Sequence, residues 1–265
     1  MVENKENSAE KPQRIAKVIA RAGVCSRRDA ERYIADGRVT LNGKVLTSPA
    51  CTVGANDAIC VDGKPLPVKE QTRVWRYHKP AGLVVSHKDE KGRKTVFDAL
   101  PDTLPRVVSV GRLDLNSEGL LLLTNDGAFA RQMEMPSSNW VRRYRVRIHG
   151  KITPEQIASL NTGVDVEGVK YKGVQVVVDK DQGSNQWLTV SLTEGKNREI
   201  RRLMDYLGFA VTRLIRVSYG PFQLGKLEVG AADEISGKML KEQIGGKFAF
   251  DAAPKHTFAK KKKEN

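Results

Sequence analysis

Four consecutive leucines, 120–123, stand between two turn-rich segments. Before them runs the polar loop Gly111-Arg112-Leu113-Asp114-Leu115-Asn116-Ser117-Glu118-Gly119, and after them the turn Thr124-Asn125-Asp126-Gly127. An aliphatic run of this length closed off by turn residues reads as a buried strand or the start of a core element. A carboxylate at the lip of such an element is held in place, as a catalytic group must be. Asp114, two residues after Arg112, is that carboxylate. Of the other acids nearby, Glu118 is expected to cap its own loop and Asp126 to form a turn or cap a helix.

The 265 residues carry 45 Lys and Arg against 31 Asp and Glu, a formal net charge of +14. Such an excess favours a polyanionic partner and salt-sensitive binding over a merely basic soluble enzyme. Length predicts one large domain and a small one. The three cysteines, Cys25, Cys51 and Cys60, have no CxxC spacing, so reduced thiols in a cytosolic protein are expected. No apolar run approaches the ~18–20 residues that span a bilayer, and the polar N-terminus lacks a signal-peptide core. The expectation is a soluble cytoplasmic protein.

Residues 1–12 form a polar lead that is expected to be disordered. From Arg14, Ile15, Val18, Ile19 and Ala22 share a helical face ending at Gly23. Ser26 with Asp29 resembles a capping box for a second helix carrying Ala30, Tyr33 and Ile34 inward and stopping at Gly37. Two short apolar segments around Asn42-Gly43 predict a hairpin, and a further β segment, 58–61, precedes Asp62-Gly63. Outward positions Arg14, Lys17, Arg21, Arg27, Arg28, Arg32, Arg38 and Lys44 give eight basic groups against three acidic ones, Asp29, Glu31 and Asp36. Clustering on two short helices favours phosphate contact over an ordinary solvated face.

A stretch with Pro65, Pro67 and the charged Val68-Lys69-Glu70 leads through a linker, 67–73, to a second domain over 74–247. Strand-like segments (83–85, 107–110, 144–148, 174–178, 187–192, 211–217) alternate irregularly with helical ones (96–100, 128–135, 154–160, 197–207). Without a βαβ rhythm this predicts an α+β domain on a mostly antiparallel mixed sheet. Residues 248–265 read as a disordered tail whose Lys260-Lys261-Lys262-Lys263 is a nucleic-acid tether or a solubilising end.

The four histidines are scattered and unpaired with Cys or carboxylate ligands, so no metal is expected. A phosphate loop, a GxGxxG after a strand and a GxSxG elbow are all missing, which removes the usual supports for nucleotide, dinucleotide and serine chemistry. Carboxylate chemistry on a basic scaffold is left. In Glu194-Gly195-Lys196-Asn197-Arg198-Glu199-Ile200-Arg201-Arg202, Asn197 is expected to cap a helix. Three arginines near a helix N-terminus oppose the dipole, so binding phosphate or pairing with an acid explains them better than helix stability. An arginine facing a buried Asp would keep it ionised. In 142–148, Tyr144, Val146 and Ile148 share one strand face and Arg143, Arg145 and Arg147 the other. Tyr144 is then either core or a ring that stacks on an unpaired base.

The N-terminal unit, 13–66, resembles the S4 RNA-binding domain. The resemblance rests on Arg14-Ile15-Ala16-Lys17, Ala22-Gly23-Val24-Cys25-Ser26-Arg27-Arg28 and Gly37-Arg38-Val39-Thr40-Leu41-Asn42-Gly43. With Lys79-Pro80-Ala81-Gly82, the 111–127 motif and the 194–202 motif, the chain resembles the pseudouridine synthases. Its likeness is strongest to the branch that acts on ribosomal RNA and carries an S4 domain. The Lys-rich tail resembles the large-subunit members, synthase B in particular. The family often has Lys where this chain has Arg142.

The resemblance implies isomerisation of a uridine of ribosomal RNA, of the 23S molecule in the large-subunit branch, free or within an assembly intermediate. It implies Asp114 as catalytic aspartate, Tyr144 as stacking residue and Arg201 as the arginine that pairs with the carboxylate. No cofactor is needed. Lys79, Arg112, Lys196 and Arg198 join the basic N-terminal residues as expected RNA contacts, with Arg112 placed to fill the gap left by the flipped base. A monomer is expected. Attack at C6, attack at C1′ and a glycal route stay open, as do a 16S target and a non-catalytic assembly protein.

Overall fold

A computed structural model of the chain describes residues 12–68, 70–246 and 248. Residues 1–11 of the expected lead over 1–12, Lys69, and the expected tail beyond Phe248 with its four lysines lie outside the described residues. The chain divides into two compact units with the boundary after Gln71.

The first unit contains β1 (Gln13–Arg14), α1 (Ile15–Arg21), α2 (Arg27–Ala35), β2 (Val39–Leu41), β3 (Lys44–Val45), β4 (Thr52–Val53), β5 (Ile59–Val61) and β6 (Lys64–Pro65). Helix α2 starts where expected. The Ser26 hydroxyl accepts the Asp29 N–H at 3.0 Å and donates to the Asp29 carboxylate at 2.6 Å. Asn42 and Gly43, with φ of 51° and 80°, make the left-handed turn that joins β2 to β3. The main sheet has the order β3-β2-β5-β6, and β1 pairs with β4. Pro65, read from the sequence with the linker, sits in edge strand β6, where its missing N–H costs no ladder bond. Ile15, Ile19, Ala30, Ile34 and Val39 are fully buried in the core between helices and sheet. Tyr33 is only half-buried and lies under the Arg38 guanidinium, 3.8 Å from its ring centre.

The second unit runs through β7 (Val74–Lys79), β8 (Val108–Val110), β9 (Glu118–Thr124), α3 (Gly127–Glu134), β10 (Arg142–His149), α4 (Pro154–Thr162), β11 (Val164–Val166), β12 (Val169–Tyr171), β13 (Gln175–Gln182), β14 (Asn185–Leu192), α5 (Glu199–Tyr206), β15 (Val211–Tyr219), β16 (Phe222–Gln223), β17 (Ala232–Ile235) and α6 (Gly237–Ile244). Its sheet has the order β13-β14-β10-β15-β9-β7-β17, with β8 on β9 and β16 on β15. Neighbours are antiparallel except β9 and β15, which run parallel. This is the mostly antiparallel mixed sheet expected.

The four leucines explain the layering. Leu121 and Leu123 enter one core with Tyr77, Tyr144, Val146 and Leu203. Leu120 and Leu122 enter the other with Phe129, Tyr219 and Leu240. Successive strand side chains point to opposite faces, so an all-leucine strand must be covered on both. Each buried leucine contributes about 1.5–3 kcal/mol. At the end of β9, Asp126 is the N-cap of α3, accepting the Ala128 and Phe129 N–H groups, and it also accepts the Thr72 hydroxyl at 2.7 Å. Thr72, expected in the linker, is therefore tied into the second unit.

Two elements differ from expectation. Residues 83–85 form no strand: Val84 makes a single bridge to Thr95, its bonds going to Lys94 and Val96, and residues 96–100 hold one 3-10 turn, Phe97–Ala99. The apolar side chains of Leu83 and Val85 are buried without sheet partners. The strands of the β11–β12 hairpin and β17, three or four residues each, are too short for sequence periodicity to mark, and α6 was not marked either. No helix among the described residues is long and apolar enough to cross a membrane.

Candidate active site

The loop between β8 and β9 is held by its backbone. Lys79, the last residue of β7, is fully buried, and its ammonium donates to the carbonyls of Pro80 at 2.9 Å, Leu115 at 3.2 Å and Ser117 at 2.9 Å. Those three bonds use every N–H of the ammonium. Burial pushes its pKa down to about 8, against the opposing pull of Asp114 and Glu118. Arg201 donates to the Asn116 carbonyl at 3.1 Å and to the Val211 carbonyl at 3.1 Å. The Gly82 N–H reaches Leu115 at 2.8 Å, and the Ser117 N–H closes a turn onto the Asp114 carbonyl at 3.0 Å. Three successive carbonyls, 115 to 117, are thus clamped from two sides, and Asp114 projects from just before the clamp.

Asp114 lines a cleft of about 530 Å³ with Arg112, Tyr144, Lys196 and Arg198, within the size range of small-ligand sites. Its carboxylate lies 3.7 Å from the Arg198 guanidinium. Arg198 precedes α5 with φ of 53°, a left-handed position outside the helix. Tyr144 comes from β10 on the face it shares with Val146 and Ile148, as the alternation predicts, and Arg143 and Arg145 are exposed on the other. Arg112 is exposed on the cleft's edge.

Several expectations need correction. Arg201 was expected to pair with the carboxylate, but among the described residues the ion pair to Asp114 comes from Arg198. Arg201 reaches one carbonyl of that loop, Asn116, and one of β15, Val211, instead. Asn197 caps nothing, because the chain enters α5 through the left-handed Arg198. Lys79 was expected to contact RNA and is wholly enclosed as the loop's clamp. Glu118 does not cap its loop: it accepts two bonds from Arg213, each 2.9 Å, which hold its carboxyl below the usual range. Lys196 donates to the Lys170 carbonyl and pairs with Glu194 at 2.9 Å, yet it still faces the cleft.

In the first unit, Arg27 pairs with Glu31 at 3.5 Å, Arg32 with Asp29 at 3.0 Å and Arg38 with Asp62 at 2.6 Å, and Arg21 donates to the Glu70 carbonyl at 3.1 Å. Arg14, Lys17, Arg28 and Lys44 are exposed and carry no ion pair among the described residues.

Three cleft residues were given no role by the sequence. Arg142 donates to the carbonyls of Thr193 and Glu194, each at 2.8 Å, and to the Tyr219 hydroxyl at 2.9 Å, so it pins the segment before α5 to β10. Glu199 is 4% exposed at the start of α5, and burial raises its pKa. Arg216 is 2% exposed on β15. One signal was present: Arg216 stands at an inward position of a strand, in step with Leu214.

Comparison with known proteins bears on this cleft. Residues 73–206 match the family model described as RNA pseudouridylate synthase, and residues 13–59 match the S4 domain. A protein of Rickettsia felis named as an uncharacterised RNA pseudouridine synthase is 47% identical over 230 residues, 87% of this chain and 100% of that one. The ribosomal large subunit pseudouridine synthase B of Yersinia pestis is 42% identical over 220 residues, 81% of this chain and 69% of that one. A crystal structure of a pseudouridylate synthase shares the fold, with a TM-score of 0.61, 24% identity, and coverage of 87% of this chain and 99% of that one.

Proposed function

The chain belongs to the RNA pseudouridylate synthases, and on that premise we propose that it isomerises a uridine of large-subunit ribosomal RNA, with Asp114 as its catalytic carboxylate. The reaction breaks the N1–C1′ bond, joins C5 to C1′, takes the proton from C5 and returns one to N1. Nothing is oxidised or reduced. The carrying observation is the clamp on carbonyls 115 to 117, which sets Asp114 in the cleft opposite the Arg198 guanidinium. A carboxylate so placed is held in position for attack on the nucleotide or support of its bond cleavage.

The target base has to leave its stack, at a cost of a few kcal/mol. Stacking on Tyr144 recovers about 1–3 kcal/mol of that. Arg112, exposed and lining the cleft, would occupy the vacated position in the RNA. The large-subunit target is supported by the likeness to synthase B, and the cytoplasm is where such RNA would be met. Arg14, Lys17 and Arg28 of the S4 unit supply phosphate contacts that position the RNA without reading its sequence.

Transcribed large- and small-subunit ribosomal RNAs, incubated separately with the full chain and mapped for pseudouridine, test the reading. Pseudouridine at a discrete site in the large-subunit RNA is expected. Modification of the small-subunit RNA alone would overturn the target, and modification of neither would overturn the activity.

A further inference from the structure

Two side chains that line the cleft each carry a buried polar atom without a partner among the described residues. Glu199 uses Oε2 to accept the Lys196 N–H at 2.8 Å, while Oε1 is buried and unbonded. Arg216 uses Nε to donate to the Leu120 carbonyl at 2.7 Å, while Nη2 is buried and unbonded. Both side chains are more than nine-tenths buried, and both line the cleft that holds Asp114 and Tyr144. A third unanswered atom, Nε of Arg201, belongs to a side chain that does not line it. Buried polar groups without partners are rare, and a site that presents one acceptor and one donor is shaped for a ligand that brings the complementary pair.

The register adds a second constraint. Arg216 is the cross-strand partner of Tyr144 on β10, so it stands beside the ring on which the base is placed. Stacking on a flat ring tolerates any base and either of its faces. Whatever tells uracil from cytosine must therefore come from the base edge.

We propose that Glu199 Oε1 accepts the N3–H of the target uracil and that Arg216 Nη2 donates to the carbonyl beside it, so that Glu199 selects uracil and the two residues together hold it as it turns. This rests on the function proposed above. The isomerisation exchanges N1 for C5 at the sugar, and a half-turn of the detached base about its N3–C6 line achieves that exchange. N3 lies on the axis and keeps its hydrogen bond. The two flanking carbonyls, O2 and O4, change places, so Arg216 finds a carbonyl in the same position before and after. Cytosine fails at this site because its N3 carries no proton and would set a lone pair against the carboxylate.

The test is equilibrium binding of full-length Asp114→Asn protein to a ribosomal RNA fragment carrying uridine, cytidine or 3-deazauridine at the target position. The last analogue places C–H where uracil has N3–H. Both replacements are expected to weaken binding about tenfold or more, the lower end of the discrimination given by one good base contact. Adding Glu199→Ala should bring all three RNAs to the same affinity while leaving the salt dependence unchanged, which general damage to the fold would not do. If that double variant does not fold, the 3-deazauridine comparison in Asp114→Asn decides alone. Equal binding of the three RNAs by Asp114→Asn, or discrimination that survives Glu199→Ala, would overturn the inference. Wild-type protein is assayed beside them on the uridine RNA. Conversion there with base-blind binding sinks the inference alone, whereas no conversion sinks the functional reading and the inference with it.

Discussion

Gly119→Ala should damage the second unit far more than Gly111→Ala, although both glycines flank the same loop at positive φ, 99° and 67°. Gly119 is wedged between strands, opposite Lys79 on β7 and Arg216 on β15. A Cβ there would fall inside contact distance of the Arg216 carbonyl oxygen, 2.8 Å from the Arg216 nitrogen and 2.9 Å from Ile215 Cγ2. Two of those neighbours are backbone in a paired strand, so relief requires β9 and β15 to separate. At Gly111 the added Cβ meets nothing within 4 Å. Both substitutions carry the left-handed cost of about 1–2 kcal/mol. Only Gly119→Ala adds overpacking, about 1–3 kcal/mol. At roughly 2–4 °C per kcal/mol for a domain of this size, Gly119→Ala should lower the melting temperature by roughly 4–20 °C and Gly111→Ala by roughly 2–8 °C. Differential scanning calorimetry of the three full-length proteins measures both shifts. Equal shifts would refute the close approach of β9 to β15 on which the placement of Arg216 depends.

Three further outcomes follow from particular contacts. Raising the pH through about 8 takes a proton from Lys79 and leaves two N–H groups for three carbonyls, so turnover should fall above that pH. Because burial lowers this pKa in the folded chain, the group's contribution to stability rises between about 8 and the ordinary 10.5. The activity loss should therefore come without melting, and a flat pH–rate profile to about pH 10 would contradict the clamp. Arg213→Ala should cost about 1 kcal/mol near neutral pH, a modest figure because Arg213 is 46% exposed and solvent screens its pair with Glu118. Glu118 has a lowered pKa, so that loss should be full above about 4.5 and vanish as the pH falls through the folded value, as urea titrations across pH would show. Replacing Arg14, Lys17 and Arg28 together by Gln should flatten the slope of log affinity against log salt by about 1 for each phosphate no longer neutralised. An unchanged slope in filter-binding assays would remove these residues from the RNA interface.

Local pattern made much of this architecture legible. The leucine run, the β10 alternation, the Ser26 cap and the Asn42-Gly43 turn depend on neighbours a few residues apart, where periodicity and turn chemistry act. Asp114 stands out because its loop leads into such a pattern, Tyr144 reads as core or stacking ring until the family resemblance gives it a role, and the structure brings both to one cleft. What stayed hidden was partnership across the chain. Lys79 meets carbonyls 36 and 38 residues away, Glu118 meets Arg213 across 95, and Arg201 meets Asn116 across 85. Choosing Arg198 over Arg201 as the partner of Asp114 depends on one residue with φ of 53°, which no charge pattern encodes. Arg216 became significant only when the parallel pairing of β15 with β9 buried it beside the loop.

The most direct test of the account is the yield of pseudouridine in ribosomal RNA treated with purified wild-type chain or with Asp114→Asn, measured by mass spectrometry of digested RNA. The account predicts conversion of uridine by the wild type and a rate lower by at least about 10²–10⁴ for the variant, the scale on which one positioned catalytic group acts. The variant should remain folded and bind the RNA as tightly. Pseudouridine formed by Asp114→Asn at the wild-type rate would contradict the assignment of Asp114 and, with it, the reading of the cleft.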